Sequence, residues 1–177
     1  MKYIFLDIDG VLNSDTYCTS PEYLHETRQM TDQLIMLVNH YVLLDPQAIN
    51  RLNDLVKRSG AIVVLSSTWR EKYSPVEITK MMQDRGATFT VTASTPVLHG
   101  KVNSSRIPRG KEIVTYIDGL KEKPESFVIL DDHDDMLSLT KVLVRTTMKL
   151  GLTADDVEKA LNILNGNEVS AWYGTKI

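Results

Sequence analysis

The sequence predicts an α/β fold with a mostly parallel central sheet flanked by helices and a small lid or cap insertion after the first strand. Short runs of Ile, Val, Leu and Phe have the continuous apolar character of strands that are covered on both faces, which is typical of parallel sheets. Between them lie stretches whose apolar residues repeat with the period of a helix. The 177 residues fit one domain, which we expect to span 1–177.

Five apolar runs are the predicted strands, and they alternate with predicted helices along the chain. The runs cover 3–6, 61–65, 88–92, 127–130 and 142–144. The first helix has Asp45 as its N-cap and Pro46 in its first turn, and Gly60 ends it. Further helices are predicted over 75–86, 110–117 and 153–164. This alternation predicts right-handed crossovers and a binding site at the carboxyl ends of the strands.

Residues 13–44 interrupt the alternation directly after the first strand. The segment mixes aromatic and charged residues with an apolar patch over 34–38. An active-site lid or a small cap would emerge at this position, and a surface insertion without a role in the site is an equal alternative. At the other end of the chain, we expect 165–177 to form a C-terminal tail.

The composition excludes several function classes. Lys and Arg number 20 against 23 Asp and Glu, so the formal charge of −3 gives no overall basic field for non-specific nucleic-acid binding. The single cysteine, Cys18, cannot form an internal disulfide, and no Cys/His group has zinc-site spacing. The first residues are too acidic for a signal peptide, and no stretch approaches a transmembrane span. We therefore expect a cytoplasmic protein that does not enter a membrane.

Two carboxylates follow the first predicted strand, at Asp7 and Asp9, with Gly10 directly behind them. At about 4 Å and an effective dielectric constant of about 20, their repulsion would be on the order of 4 kcal/mol. The pair therefore needs a cation, a shared proton or wide separation around a turn. Mg²⁺ is a natural partner, because it prefers carboxylate oxygens and bridges readily to a phosphate. A solvated loop with two acids would give the same pattern.

The second strand runs into three hydroxyls and an arginine, which are Ser66, Ser67, Thr68 and Arg70. Hydroxyl and backbone donors at a strand end can bind an anion, and a guanidinium can clamp phosphate oxygens. The pattern indicates a substrate phosphate site that contains Ser66, Ser67 and Arg70. An N-cap cluster without a ligand would use the same residue types.

The fourth strand ends in a dense acidic run, which is Asp131, Asp132, His133, Asp134 and Asp135. If this strand neighbours the first, its carboxylates add to the same negative field, and a divalent cation becomes close to obligatory. For Asp134 and Asp135 we favour a simpler role as partners of a helix N-terminus. We expect His133 to be a structural hydrogen-bond partner rather than a catalytic group.

A basic cluster that includes Arg109 and Lys111 opens the helix predicted between the third and fourth strands. A cation at this place could counter the carboxylates and a bound phosphate. Taken singly, however, a basic residue before a helix is usually a solvated surface group. The residues alone leave both interpretations open.

Taken in order, these four motifs resemble those of the haloacid dehalogenase-like (HAD) hydrolase superfamily. They are Asp-x-Asp-Gly-Val-Leu, a Ser after the second strand, a basic residue, and Asp-Asp after an apolar strand. Receiver domains of response regulators also collect acids, a hydroxyl and a lysine at strand ends, but there the lysine comes last. Here Asp131 and Asp132 come last, so the order of the motifs does not fit a receiver domain. The resemblance covers 2 to about 164, and it implies a Rossmann-like sheet and phosphoryl transfer through an aspartyl-phosphate.

The resemblance also implies a role for each matching residue. Asp7 would be the nucleophile, and Asp9 would be the general acid for the leaving group and then the base for water. Ser66 would bind the phosphoryl oxygens. Mg²⁺ would be held by Asp7, Asp131, Asp132 and the backbone carbonyl of Asp9.

The third motif departs from the superfamily, which usually has Lys at this place. Arg109 and Lys111 compete for it here, and Arg109 is preferred because it lies nearer the predicted helix start. The presence of Asp9 favours phosphatase or phosphotransferase chemistry over dehalogenation, because phosphoester cleavage needs that acid.

A narrower likeness is to the compact HAD domains of Swiss Army Knife RNA repair proteins. It rests on Ser-Ser-x-Trp-Arg after the second strand, Arg-Gly-x-Glu-Ile at a helix start and Gly-Leu-Thr near the C-terminus. It implies a nucleotide or nucleic-acid end phosphate as substrate, with Arg70, Arg106 and Lys101 near a polynucleotide backbone. A small phosphomonoester is equally credible. The rival functions are a non-catalytic phosphate or nucleic-acid binding domain and a Mg²⁺-dependent nuclease, and no obligate protein partner is inferred.

Overall fold

The computed structural model describes residues 1–28, 43–99 and 107–166. Its strands are β1 (Lys2–Leu6), β2 (Ile62–Leu65), β3 (Val91–Ser94), β4 (Ser126–Asp131) and β5 (Leu143–Arg145). They form a five-stranded sheet in the order β3-β2-β1-β4-β5, in which every neighbouring pair is parallel. The predicted α/β class with a parallel central sheet is confirmed.

The helices of the described residues follow the predicted alternation. They are α1 (Asp15–Cys18), α2 (Pro21–Thr27), α3 (Pro46–Ser59), α4 (Pro75–Asp84), α5 (Arg109–Gly119) and α6 (Ala154–Asn165). Short 3-10 helices cover Thr68–Glu71 and Leu137–Val142. At the start of α3 the Asp45 carboxylate accepts from Gln47 N at 2.8 Å, and Gly60 ends the helix with a left-handed φ of 65°.

Successive strand residues point to opposite faces of the sheet, and helices cover both of these faces. Ile4 and Leu6 pack with the apolar residues of α3, α4 and α6, whereas Tyr3 and Phe5 pack with those of α5 and the second 3-10 helix. On this second side Gly110 allows α5 a very close approach, because a Cβ there would lie 2.8 Å from the Cα of Met136. The first residues of α5 are thereby held beside the chain that leaves β4.

The third strand differs from its predicted range of 88–92 and runs over Val91–Ser94. The backbone N and the hydroxyl of Thr88 donate to Asn53 Oδ1 at 2.8 and 3.1 Å. A side chain of α3 therefore engages the residues that were expected to begin the strand. Alternating β-branched residues indicate an extended chain, but they do not tell where that chain joins the sheet.

The described part of the predicted insertion is attached to the body of the protein. Asp15 N and Thr16 N donate to the carbonyls of Met148 and Lys149 at 2.9 and 3.1 Å. Arg85 forms an ion pair with Glu26 in α2 at 2.6 Å. The apolar patch predicted over 34–38 lies outside the described residues, and a lid role for 13–44 stays a prediction.

At the C-terminus α6 extends to Asn165, one residue into the predicted tail. Residues 167–177 of that tail lie outside the described residues, and the single-domain assignment of 1–177 stays a prediction. Among the helices of the described ranges, none has both the length and the apolar composition that crossing a membrane requires.

Candidate active site

Three strand ends meet at one edge of the sheet. In the sheet register, Leu6 of β1 pairs with the last apolar residues of β2 and β4. The polar residues that follow are neighbours, because Asp7 N donates to Leu130 O at 2.9 Å and Ser66 N donates to Leu6 O at 2.7 Å. The structure thus brings the predicted residues Asp7, Ser66 and Asp131 to a common rim.

Asp7, Asp131 and Asp132 form an acidic cluster at this rim, in which one carboxylate oxygen of each residue lies within 4.8 Å of the others. Asp7 is 6% exposed and Asp131 is 1% exposed. Gly10 permits the close approach of Asp132, because its φ is +69° and a Cβ there would lie 2.7 Å from the Asp132 carboxyl carbon. The glycine of the first motif is therefore needed for the cluster to form.

Burial makes it unfavourable for Asp7 and Asp131 to be ionised together. Burial, and after it the neighbouring Asp7 carboxylate, raises the pKa of Asp131 to about 7. The pKa of Asp7 is also raised, again mainly by burial, against the lowering effects of a hydrogen bond from Ser67 and the charge of Arg109. A cation among these carboxylates would favour their ionised forms.

The donors of the acidic cluster fit a hard divalent cation. One Asp131 oxygen accepts from His133 N at 2.9 Å, but the other, Oδ2, is buried without a hydrogen-bond partner among the described residues. A buried carboxylate oxygen is costly to leave unpaired, so this atom needs a ligand that the described residues do not supply. Three carboxylates offer only oxygen, which Mg²⁺ and Ca²⁺ prefer.

The carboxylate of Asp9 is not a member of the acidic cluster, but its charge acts on Asp7. It accepts from Trp69 Nε1 at 3.0 Å through Oδ2 and from Asn13 Nδ2 at 2.7 Å through Oδ1. The side chain of Asp9 is therefore engaged by two hydrogen-bond donors. This agrees with the expectation that Asp9 would contribute its backbone carbonyl, rather than its carboxylate, to the predicted metal site. The sequence motifs did not identify Trp69 and Asn13 as site residues. Trp69 lies within the Ser-Ser-x-Trp-Arg motif, and Asn13 directly follows the Asp-x-Asp-Gly-Val-Leu motif.

The serines after β2 occupy different environments. Ser66 Oγ is fully buried and has no hydrogen-bond partner among the described residues. Ser67 hydrogen-bonds to the Asp7 carboxylate, and its Oγ accepts from Trp69 N at 3.4 Å as the N-cap of the first 3-10 helix. The N-cap interpretation thus holds for Ser67, which contacts the acidic cluster as well.

The structure brings Arg109, and not Lys111, to the acidic cluster. Arg109 is buried, and its Nε lies 3.9 Å from Asp131 Oδ2. Lys111 is exposed on α5. The difference follows from the helix, because residues two positions apart point to different sides of it.

Glu112 links the two buried arginines of the site, and sequence analysis did not assign it a role. Its Oε2 lies 2.5 Å from Arg70 Nη2 and 3.6 Å from Arg109 Nη1, and its Oε1 accepts from Leu98 N at 3.0 Å. Arg70 also donates to Ser67 O at 2.5 Å. These contacts hold Arg70 within the protein, but its Nε is buried without a hydrogen-bond partner among the described residues, and its role in phosphate binding stays a prediction. The i, i+3 spacing of Arg109 and Glu112 was the available signal.

The remaining acids after β4 have structural partners. Asp134 forms an exposed ion pair with Arg145 at 2.8 Å, and Asp135 accepts from Arg109 N at 3.1 Å. Asp135 thus stabilises the N-terminus of α5, as predicted for both acids, whereas Asp134 pairs with Arg145 instead. His133 is mostly exposed, with Nδ1 3.7 Å from an Asp132 oxygen. The other predicted contacts, Lys101 and Arg106, lie outside the described residues.

The raised pKa of Asp131 predicts how pH affects the stability of the metal-free protein. Between the ordinary pKa of an aspartate, near 4, and about 7, the folded protein holds a proton that the unfolded chain has lost. The free energy of unfolding should therefore fall as pH rises through this window. Asp131→Asn cannot bind this proton, so its free energy of unfolding should not fall in the same way. Relative to the parent, the free energy of unfolding of Asp131→Asn should therefore rise by more than about 1 kcal/mol from pH 5 to pH 8.

Urea unfolding in EDTA at both pH values measures this difference. Asp134→Asn is the matched control, since Asp134 is exposed, and it should show a much smaller change with pH. A difference in unfolding free energy between Asp131→Asn and the parent that is the same at pH 5 and pH 8 would contradict the raised pKa of Asp131.

Comparison with known families agrees with this geometry. The family model described as the HAD domain in Swiss Army Knife RNA repair proteins matches residues 3–157. Apart from Lys2, the first residue of β1, this range includes the strands of the sheet and the complete acidic cluster. Neither a curated protein nor a solved structure matches the chain. The chain belongs to the HAD domain family of Swiss Army Knife RNA repair proteins.

Proposed function

We propose that the protein is a Mg²⁺-dependent phosphatase that hydrolyses phosphomonoesters through an aspartyl-phosphate on Asp7. The family supports a phosphatase-type hydrolase role in RNA repair. The observation that carries the proposal is the convergence of three carboxylate oxygens within 4.8 Å at the ends of β1 and β4. Ser67 and Arg109 lie beside them, so the proposed nucleophile, metal ligands and anion-binding groups would share one rim.

The proposed reaction has two half-reactions. In the first, a carboxylate oxygen of Asp7 bonds to phosphorus, the bond from phosphorus to the leaving oxygen breaks, and Asp9 gives its proton to that oxygen. In the second, a water oxygen bonds to phosphorus while Asp9 takes the proton of this water, and the bond from phosphorus to Asp7 breaks. Inorganic phosphate leaves, and both aspartates are restored.

Asp7, Asp131 and Asp132, with the backbone carbonyl of Asp9, would hold the Mg²⁺ ion. When bound, Mg²⁺ neutralises the carboxylates and stabilises the charge that develops on the phosphoryl oxygens. The unpaired oxygen of Asp131 supports this assignment, because it is a buried acceptor that no donor of the described residues satisfies.

The substrate phosphate would be bound by hydroxyl and guanidinium groups of the rim. Ser66 Oγ supports this role, since it is a buried hydroxyl that has no partner among the described residues. Arg109 would take the place of the superfamily lysine, next to Asp131. Arg70 would act indirectly, because its contacts with Glu112 and Ser67 O hold the groups around the phosphate site.

The substrate class that we propose is a phosphate at a nucleic-acid end, or a phosphorylated nucleotide. The family description supports a nucleic-acid end. The formal charge of −3 favours a local contact at the end of the strand over binding along a long backbone. We propose the cytoplasm as the location, and the single cysteine is consistent with a reducing compartment.

Replacing the nucleophile tests the reaction directly. Asp7→Asn should lower the rate of 4-nitrophenyl phosphate hydrolysis in Mg²⁺ by about a thousandfold or more, because the amide cannot form the acyl-phosphate. EDTA should abolish the activity of the parent. Asp84→Asn is the matched control, since Asp84 is an exposed aspartate at the end of α4, and it should retain the parental rate. Equal activity in Asp7→Asn and the parent would contradict the proposal.

Oligonucleotides with different ends test the substrate class. We expect release of inorganic phosphate from a 3′- or 5′-phosphorylated oligonucleotide with no change in strand length, because the proposed reaction cleaves a phosphomonoester. An unphosphorylated oligonucleotide of the same sequence is the control. Shortened strands would instead identify a nuclease, and tight binding without any product would identify a non-catalytic binding domain.

A further inference from the structure

We propose that Trp69 and Asn13 form a clamp that orients the Asp9 carboxyl group for proton transfer to the leaving group. This inference rests on the proposed function, in which Asp9 is the proton donor. Both side chains would be positioning residues, since they act through Asp9 rather than on the substrate. The carboxylate of Asp9 contacts one of them through each oxygen.

Trp69 is placed rigidly at the start of the first 3-10 helix. It is 9% exposed, and its backbone N donates to Ser67 Oγ at 3.4 Å. Its ring lies beside that of Tyr73, with centroids 6.1 Å apart. From this position the indole Nε1 donates to Asp9 Oδ2 at 3.0 Å. A buried ring has little freedom to rotate, so this hydrogen bond fixes one oxygen of Asp9.

Asn13 fixes the other oxygen from the turn that follows β1. Its Nδ2 donates to Asp9 Oδ1 at 2.7 Å, while its Oδ1 accepts from Gly10 N at 2.9 Å. The turn itself is closed by Leu12 N and Asn13 N, which donate to Ile8 O at 2.8 and 3.3 Å. The amide of Asn13 thus joins the Asp9 side chain to the backbone of its own turn.

The two donors determine the plane of the carboxyl group, because they approach different oxygens from different elements. Each carboxylate oxygen has more than one acceptor site, so one on each oxygen stays available for the transferred proton. The Asp9 carboxyl group is not one of the three that form the acidic cluster of Asp7, Asp131 and Asp132. The carboxyl group that transfers the proton is thus a different one from those that would hold the cation.

This role has a consequence that a merely structural residue would not share. An alkyl phosphate needs a proton on its leaving oxygen as the ester bond breaks, whereas a 4-nitrophenolate leaves readily as an anion. Loss of the clamp should therefore slow the first half-reaction for an alkyl phosphate and spare it for the aryl phosphate. The value of kcat/KM reports this step, because it covers the reaction up to the loss of the leaving group.

Trp69→Phe tests the clamp, since it removes the N–H and keeps an aromatic ring. We expect kcat/KM for glycerol 2-phosphate to fall by about tenfold or more, while kcat/KM for 4-nitrophenyl phosphate changes by less than about threefold. In an Asp9→Asn background, Trp69→Phe should have no further effect on glycerol 2-phosphate, because the two residues act through one proton transfer.

Asn13→Asp provides a second test that does not disturb the buried ring. The aspartate keeps an acceptor for Gly10 N but loses the donor to Asp9, so it should show the same selectivity between the two substrates. Equal losses on both substrates, or no loss on glycerol 2-phosphate in either variant, would overturn the clamp. The failure of the proposed function is a separate result, which is full activity of Asp7→Asn on both substrates.

Discussion

The candidate site depends on placing two carboxyl groups, Asp7 and Asp131, side by side and away from water. A buried carboxylate is unfavourable, and a second one next to it makes ionisation harder still. The fold cannot avoid this arrangement, because β1 and β4 are parallel neighbours whose carboxyl ends lie at the same edge of the sheet. The positively charged and hydrogen-bonding groups of the rim therefore have to compensate for it.

The compensation comes from side chains that are themselves fixed. Arg70 and Arg109 are both held by the single carboxylate of Glu112, so this group keeps a net positive charge beside the acidic cluster. Gly110 lets α5 approach Met136 closely, and this approach brings Arg109 to the end of β4. Burying the charges of the site is thus coupled to the packing of α5 on the sheet. A divalent cation would complete the neutralisation.

Sequence patterns were sufficient for most of the fold and for the acids of the site. Continuous apolar runs identified the strands because a parallel sheet buries both of its faces, and the strand ends then located Asp7, Ser66 and Asp131. Patterns could not find the two donors to the Asp9 carboxylate, because they are an indole group in a 3-10 helix and a side-chain amide in the turn after β1. They also placed the third strand early, because the contact of Thr88 with Asn53 is a tertiary one.

If the carboxylates of β1 and β4 share one cation, calorimetric titration of the metal-free protein with Mg²⁺ should detect it. We expect one ion per chain, with affinity at least about tenfold weaker in Asp131→Asn and in Asp132→Asn. The exposed neighbour Asp134 offers a matched Asp134→Asn control that should bind like the parent. Unchanged Mg²⁺ affinity in both cluster variants would show that these carboxylates do not share a cation.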